Sequence, residues 1–184
     1  DGNAQDWHIG LDDSADDLVI GLGSTLGTTT HMAFDEAGTV TMPLQPCVLV
    51  RNGTAQTDIA INTDTTIEFD TERFDQNADF NTGTYTFTAP VTGRYLISSV
   101  VILTQLDSAA TFYRVEFTTS NYSYKHSLID PDYFDSDQTY WSQGATIIAD
   151  MDASDTLTVD FNQSGGTQQV DITDMCLLSI GLFA

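Results

Sequence analysis

At 184 residues and 20.1 kDa, with 41% hydrophobic residues, the chain is long enough to bury the core of one ordinary domain plus a small appendage. Twenty-seven Asp and Glu stand against five Lys and Arg, and the resulting net charge of −22 repels phosphate backbones and anionic headgroups, which excludes nucleic-acid and basic membrane-surface binding. No run reaches the ~18 apolar residues of a membrane span, and the opening DGNAQDWHIG has no basic stretch leading into an apolar one, so neither membrane insertion nor a targeting segment is expected.

In chain order, residues 1–45 read as a β-rich neck segment. Its pieces DWHIGLDD, DDLVIGL, THMAFDEAG and TVTMPL are short strands separated by acidic or glycine turns. So small a unit cannot close a core alone and needs neighbouring copies or a preceding shaft. Pro43 and Pro46 end it, because proline has no N–H to give a central strand. Residues 46–184 then alternate apolar and polar residues in TYTFTA, RYLISSVVILT, FYRVEFTT, ATIIADM, TLTVDF and MCLLSIGLF. Turn clusters separate them at 81–83, 91–93, 106–109, 152–155 and 163–167, the spacing of an all-β sandwich or barrel. Tyr85 and Phe87 before the Pro90–Gly93 turn, and Tyr95 and Ile97 after it, predict an antiparallel hairpin with one aromatic face. RYLISSVVILT is apolar on both faces, which predicts burial in a core and an interface together.

The acids are 23 Asp to 4 Glu, and Lys125 is the single lysine. Two explanations stand side by side. A high-salt habitat favours dense short carboxylates and predicts that folding needs salt; alternatively, Asp simply serves the many turns of a β protein.

The run from Phe69, FDTERFDQNADFNTGTYTFTAPVTGRYLISSVV, places Phe74, Asn77, Phe80, Gly83, Tyr85, Phe87, Pro90, Gly93, Tyr95 and Ile97 in the order found in C1q-like globular heads. ADMDASDTLTVDF and the final LLSIGLFA resemble that family's strand–acidic turn–strand unit and closing strand, so the resemblance spans roughly residues 46–184. It implies an all-β, antiparallel jelly roll of the C1q/tumour-necrosis-factor type that assembles as a homotrimer. Residues 1–45 are similar to segments that precede such heads in tail fibres and other viral attachment proteins, through Trp7, Ile9, Gly10, Asp12, Asp13, Gly38, Val40, Pro43, Gln45 and Pro46.

Between Thr119 and Trp141 aromatics and acids crowd together. Tyr122, Tyr124, Lys125, His126, Asp132, Tyr133 and Phe134 make a candidate receptor contact on a loop at 121–137, with Tyr140 and Trp141 opening the next core strand. Asp130, Asp132, Asp135 and Asp137, together with Asp150, Asp152 and Asp155, offer oxygen ligands to calcium, as do Asp12, Asp13, Asp16 and Asp17; solvated turns are the competing explanation for each cluster. The resemblance makes the strands of Cys47 and Cys176 neighbours, which allows a disulfide, while their apolar flanks suit two buried free thiols equally well. Asn52, Asn121 and Asn162 open glycosylation sequons. The three histidines are isolated, GLGSTLG lacks the third glycine of a dinucleotide loop, and no catalytic constellation is present.

Together these features imply a non-enzymatic head on the outside of a virion, at a fibre or spike tip. Its partners would be its own copies, a host surface glycan or protein receptor, and other fibre or capsid proteins. The alternatives are a capsid decoration or turret protein, a secreted C1q-like binding module and a glycan-cleaving tailspike.

Overall fold

The computed structural model describes residues 6–184, the side chain of His126 excepted. Apart from one 3-10 turn at Pro131–Tyr133, every regular element among these residues is a strand. The chain divides into two compact units, Asp1–Gln45 and Pro46–Ala184.

The first unit is an antiparallel meander of β1 (Trp7–Asp12), β2 (Asp17–Leu22), β3 (Thr30–Phe34) and β4 (Val40–Thr41). Its acids make its turns. The Asp12 carboxylate accepts from the N–H (3.1 Å) and Oγ (2.6 Å) of Ser14, which holds its pKa below the ordinary value, and Asp35 accepts from the Thr39 N–H at 2.7 Å. One face of the sheet carries Gly10, Val19, Gly21 and Ala33, and the 23–29 loop folds back over it. Leu26 lies against Gly10, and a Cβ at Gly21 would come 2.3 Å from the Thr29 carbonyl oxygen, so glycine is what allows the loop to approach. The opposite face is laid out in apolar rows: Leu11, Leu18, Phe34 and Val40, then Ile9, Ile20 and Met32, then Trp7 and Leu22.

The second unit is a sandwich of two sheets. The first sheet has the order β13 (Gln138–Met151), β10 (Gly93–Leu106), β16 (Leu177–Leu182), β5 (Cys47–Arg51) and β7 (Thr71–Asp75), with β15 (Asp171–Ile172) beside β10. The second runs β12 (Ser123–Ile129), β11 (Ala110–Thr119), β14 (Thr156–Gly165), β9 (Thr86–Thr88) and β8 (Phe80–Asn81), with β6 (Thr65–Thr66) beside β14. All pairings are antiparallel, and the chain repeatedly crosses from one sheet to the other, as in a jelly roll. Alternate residues of both sheets meet in a core where Phe69, Phe87, Tyr95, Tyr113, Phe117 and Phe161 are wholly buried.

The expected hairpin at Pro90–Gly93 does not form. β9 lies in the second sheet and β10 in the first, so the two strands face one another across the core instead of pairing edge to edge. Phe87 and Tyr95 still meet, edge to face with centroids 5.5 Å apart, and the Tyr95 hydroxyl donates to the Val91 carbonyl at 2.7 Å to fix the crossing segment. Tyr85 is not on the aromatic face; its φ of 57° turns it out of the strand. RYLISSVVILT does divide as its two apolar faces require: Tyr95, Ile97, Val101 and Leu103 are fully buried, whereas Leu96 and Val100 are 42% and 39% exposed on the outside. Asp107 locks the end of β10. Its carboxylate accepts from the N–H groups of Ala109 (2.8 Å), Thr167 (2.6 Å) and Gln168 (2.9 Å), while its own N–H donates to the Tyr113 hydroxyl at 2.8 Å. Gly166 lies so close that a Cβ there would sit 2.6 Å from the Asp107 carboxylate.

Candidate interaction surfaces

The outer face of the first sheet is mostly apolar or small. Across the strands Ile148, Leu96, Gly181 and Cys47 stand in one row, Thr146, Ser98, Ser179, Leu49 and Phe74 in the next, and Gly144, Val100, Leu177 and Arg51 in a third. Phe74 and Ile148 are about half exposed, like Leu96 and Val100. The Ser98 and Thr146 hydroxyls share a hydrogen bond of 2.8 Å at the centre of the face. An ion pair between Arg94 and Asp150 closes one end of it.

The outer face of the second sheet is built differently. Arg114 and Glu116, two residues apart on β11 and therefore on the same side, pair at 3.0 Å, and Arg114 reaches Asp64 at 2.7 Å. Asn162 donates to the same Asp64 oxygen at 2.9 Å, and Thr66 donates to Asp160 at 2.8 Å. Most of this network is paired within the chain, and Phe112 under the Arg114 guanidinium and the 67% exposed Leu128 opposite Arg114 add apolar area beside it.

The expected receptor loop is broken in two by a strand. Residues 123–129 form β12, the edge of the second sheet, because a bulge between Val115 and Glu116 lets SYKHSLI pair with β11 despite its irregular alternation. Tyr122 is exposed before this strand and packs edge to face on the half-buried Tyr124 at 4.8 Å; Lys125 is exposed opposite Glu116. Asp132 and the 90% exposed Tyr133 belong to the 3-10 turn beyond the other end, some 20 Å away for a seven-residue strand. Phe134 turns inward onto Trp141 at 4.9 Å. Tyr140 lies in β13 but is 64% exposed, so it is not a core residue. His126 lies on β12, with its side chain outside the described residues. The chosen aromatics therefore do not converge on one site.

No family model matches the chain, and no curated protein does. Among solved structures, the globular domain of zebrafish complement 1qA protein superposes with a TM-score of 0.53 at 16% identity, covering 76% of this chain and 98% of that one. Crystals of murine APRIL at pH 8.0 give a TM-score of 0.53 at 10% identity over 76% and 99%, and at pH 5.0 a TM-score of 0.52 at 12% identity over 76% and 99%. The head has a C1q/TNF-like jelly-roll fold.

In this C1q/TNF-like head the acidic clusters do not gather as a cation would require. Among the described residues no three Asp, Glu, His or Cys side chains converge. Their oxygens are engaged elsewhere. Asp130 caps the 3-10 turn through the Asp132 N–H at 3.0 Å, and Asp137 accepts from the Ser108 N–H (2.8 Å) and Oγ (2.7 Å). Asp150 pairs with Arg94, while Asp155 accepts from Ser120 Oγ, Asn121 and the Asp152 N–H. Asp135 is exposed. At Asp130, Asp137 and Asp155 these are the contacts of turn-capping carboxylates.

The cysteines are free. β5 and β16 are indeed neighbours, but Gly181 stands opposite Cys47, and Cys176 precedes Leu177, which stands opposite Arg51. Several residues at about 3.3 Å each separate the two sulfurs, too far for a disulfide. Nor are both buried: Cys47 is exposed on the outer face, and Cys176 is enclosed beside the Ile102 backbone, where burial raises its thiol pKa. Asn52 and Asn162 are buried, which removes two of the three sequons. Sequence reasoning missed Asp107 and the Arg114–Glu116–Asp64 network. The i, i+2 spacing of Arg114 and Glu116 in FYRVEFTT is the signal that could have found the pair.

Proposed function

We propose that this chain is the head of a viral fibre or spike that attaches its particle to a host surface as a homotrimer, by binding alone and without catalysis. The observation that carries the reading is the outer face of the first sheet: Leu96, Val100, Ile148, Leu177 and Phe74 are partly exposed in one mostly apolar field, with Arg51 the charged member of its three rows, on a chain of charge −22. On so acidic a protein, an apolar field of this kind marks a surface that is covered in use. The C1q/TNF-like fold supports closure of that field by two further copies. Tyr122 and Tyr133 present aromatic area for a host glycan or protein at two separate points of each head, so three copies would bind by avidity. Residues 1–45 would join the head to its fibre, outside the cell, on a virus of a high-salt host.

The test is multi-angle light scattering of the full chain in molar and in low salt, with and without a chelator. A mass of three chains in molar salt that falls in low salt is the expected result, with the chelator having no effect. A monomer under all conditions removes the trimeric attachment head and leaves a single jelly-roll binding domain. Binding to immobilised host-cell envelopes, weakened by Tyr133→Ala or Tyr122→Ala, is the companion measurement; cleavage of the surface polysaccharide would make the protein an enzyme instead.

A further inference from the structure

The two faces of the N-terminal sheet are finished to different degrees. The glycine-rich face has its own cover in the 23–29 loop. On the other face Trp7, Ile9 and Leu11 are 60%, 71% and 74% exposed, and Leu18, Phe34 and Val40 extend the same field at 37–49% exposure. The unit contains no cysteine, and its described residues gather no metal site; a unit of this size commonly completes its core against a partner surface.

Charge narrows the choice of partner. Residues 1–45 contain eight Asp and Glu and no Lys or Arg. Six of these acids, Asp12, Asp13, Asp16, Asp17, Asp35 and Glu36, lie at or beside the β1–β2 and β3–β4 turns, which share one end of the meander, so the apolar rows themselves are uncharged. A charged partner finds no counter-charge on the face. A second uncharged β-face of matching row height fits it, and the chain supplies one in each of its own copies. The open field amounts to about 200–400 Å² per copy, taking roughly 60–120 Å² per fully buried apolar side chain. That is less than a free-standing interface needs, and it suffices when the partners are already held together by the head.

We infer that the Trp7–Ile9–Leu11 face packs against the same face of the two other copies, forming a three-sheet apolar core directly preceding the head. The inference rests on the trimeric reading of the head, since only residues 42–46 separate the last strand of this unit from the first strand of the head. Threefold symmetry runs all strands in one sense, so each apolar row meets its own copies and the carboxylate-bearing turns gather at one rim, in water, where salt screens them.

The experiment uses the full chain carrying Cys47→Ser and Ile9→Cys, treated in dilute solution in molar salt with a short bismaleimide, alongside light scattering of the same sample. Covalent dimers of Ile9→Cys are expected, because one accessible thiol per chain allows one link and leaves the third chain of each trimer unlinked, and none from Thr28→Cys on the loop of the covered face. A mass of three chains with no cross-linked Ile9→Cys overturns this inference and leaves the trimeric head intact, whereas a monomeric mass overturns both. Because Ile9→Cys could disturb the sheet, Trp141→Phe provides a second reading with Trp7 as the sole tryptophan emitter. Its emission should be blue-shifted and shielded from acrylamide in the trimer, and Leu11→Glu should red-shift it and raise the concentration of half-dissociation at least tenfold. Trp7 open to acrylamide in a trimeric sample overturns the inference.

Discussion

The two outer faces of the head are made by the same device, a strand whose alternate residues point away from the core, yet they carry opposite chemistry. On the first sheet the outward positions of β10 are Arg94, Leu96, Ser98, Val100, Ile102 and Thr104; on the second those of β11 are Phe112, Arg114, Glu116 and Thr118. The second face carries an ion network at its centre, whereas the centre of the first carries hydroxyls and apolar side chains and its charges, Arg94, Asp150 and Arg51, lie toward the ends. The contrast teaches that exposure alone does not define a solvent face. A face meant for water spends its positions on hydrogen-bonding groups, and one meant for another protein withholds them.

The sharpest way to break this comparison is to place charge on each face in turn. Leu96→Asp with Val100→Asp should reduce the light-scattering mass from three chains to one, while Thr118→Asp on the opposite face leaves it unchanged. Equal effects from the two would end the distinction. Next comes Arg114→Ala, which strands Glu116, whose side chain is 8% exposed, without its cation. A loss of about 3–5 kcal/mol in urea unfolding is expected, with no change in mass, and Glu116→Gln added to it should recover part of the loss.

Asp107 sharpens the comparison from inside. Hydrogen bonds from the Gln168 and Thr167 N–H groups hold its pKa below the ordinary 3.8. A carboxyl lowered on folding contributes stability in full above its unfolded value and loses it as pH falls through the lower native value. Stability measured by urea titration should therefore drop below about pH 4, and Asp107→Asn should both cost about 2–3 kcal/mol at neutral pH and remove that part of the acid sensitivity. The smallest effect is a rate. Cys47, in the row of Leu96 and Gly181, should react readily with a thiol reagent in the Leu96→Asp/Val100→Asp monomer and slowly in the trimer, while Cys176 stays unreactive until the protein unfolds.

The strands themselves were readable because alternation reports which residues turn inward, and Tyr95, Ile97, Leu157 and Val159 all do. Alternation is silent about the neighbour. Phe87 and Tyr95 show the same pattern whether their strands pair in one sheet or face each other across two, which is why the hairpin expectation failed. The strand β12 was hidden for a related reason: a bulge shifts its register, and its aromatic and acidic flanks look like loop. The acidic clusters left two explanations open, since a carboxylate that caps a turn and one that binds a cation are the same residue in the sequence. What separates them is whether nearby N–H groups have already claimed the oxygens, as they have at Asp130, Asp137 and Asp155.

The placement of β16 has a consequence for biosynthesis. Leu177–Leu182 lies between β10 and β5, so the strand made last is the one that joins the first strand of the head to the middle of its sheet. Until those residues have left the ribosome, β5 and β10 each present an unfilled backbone edge, and no partial fold of the head can close.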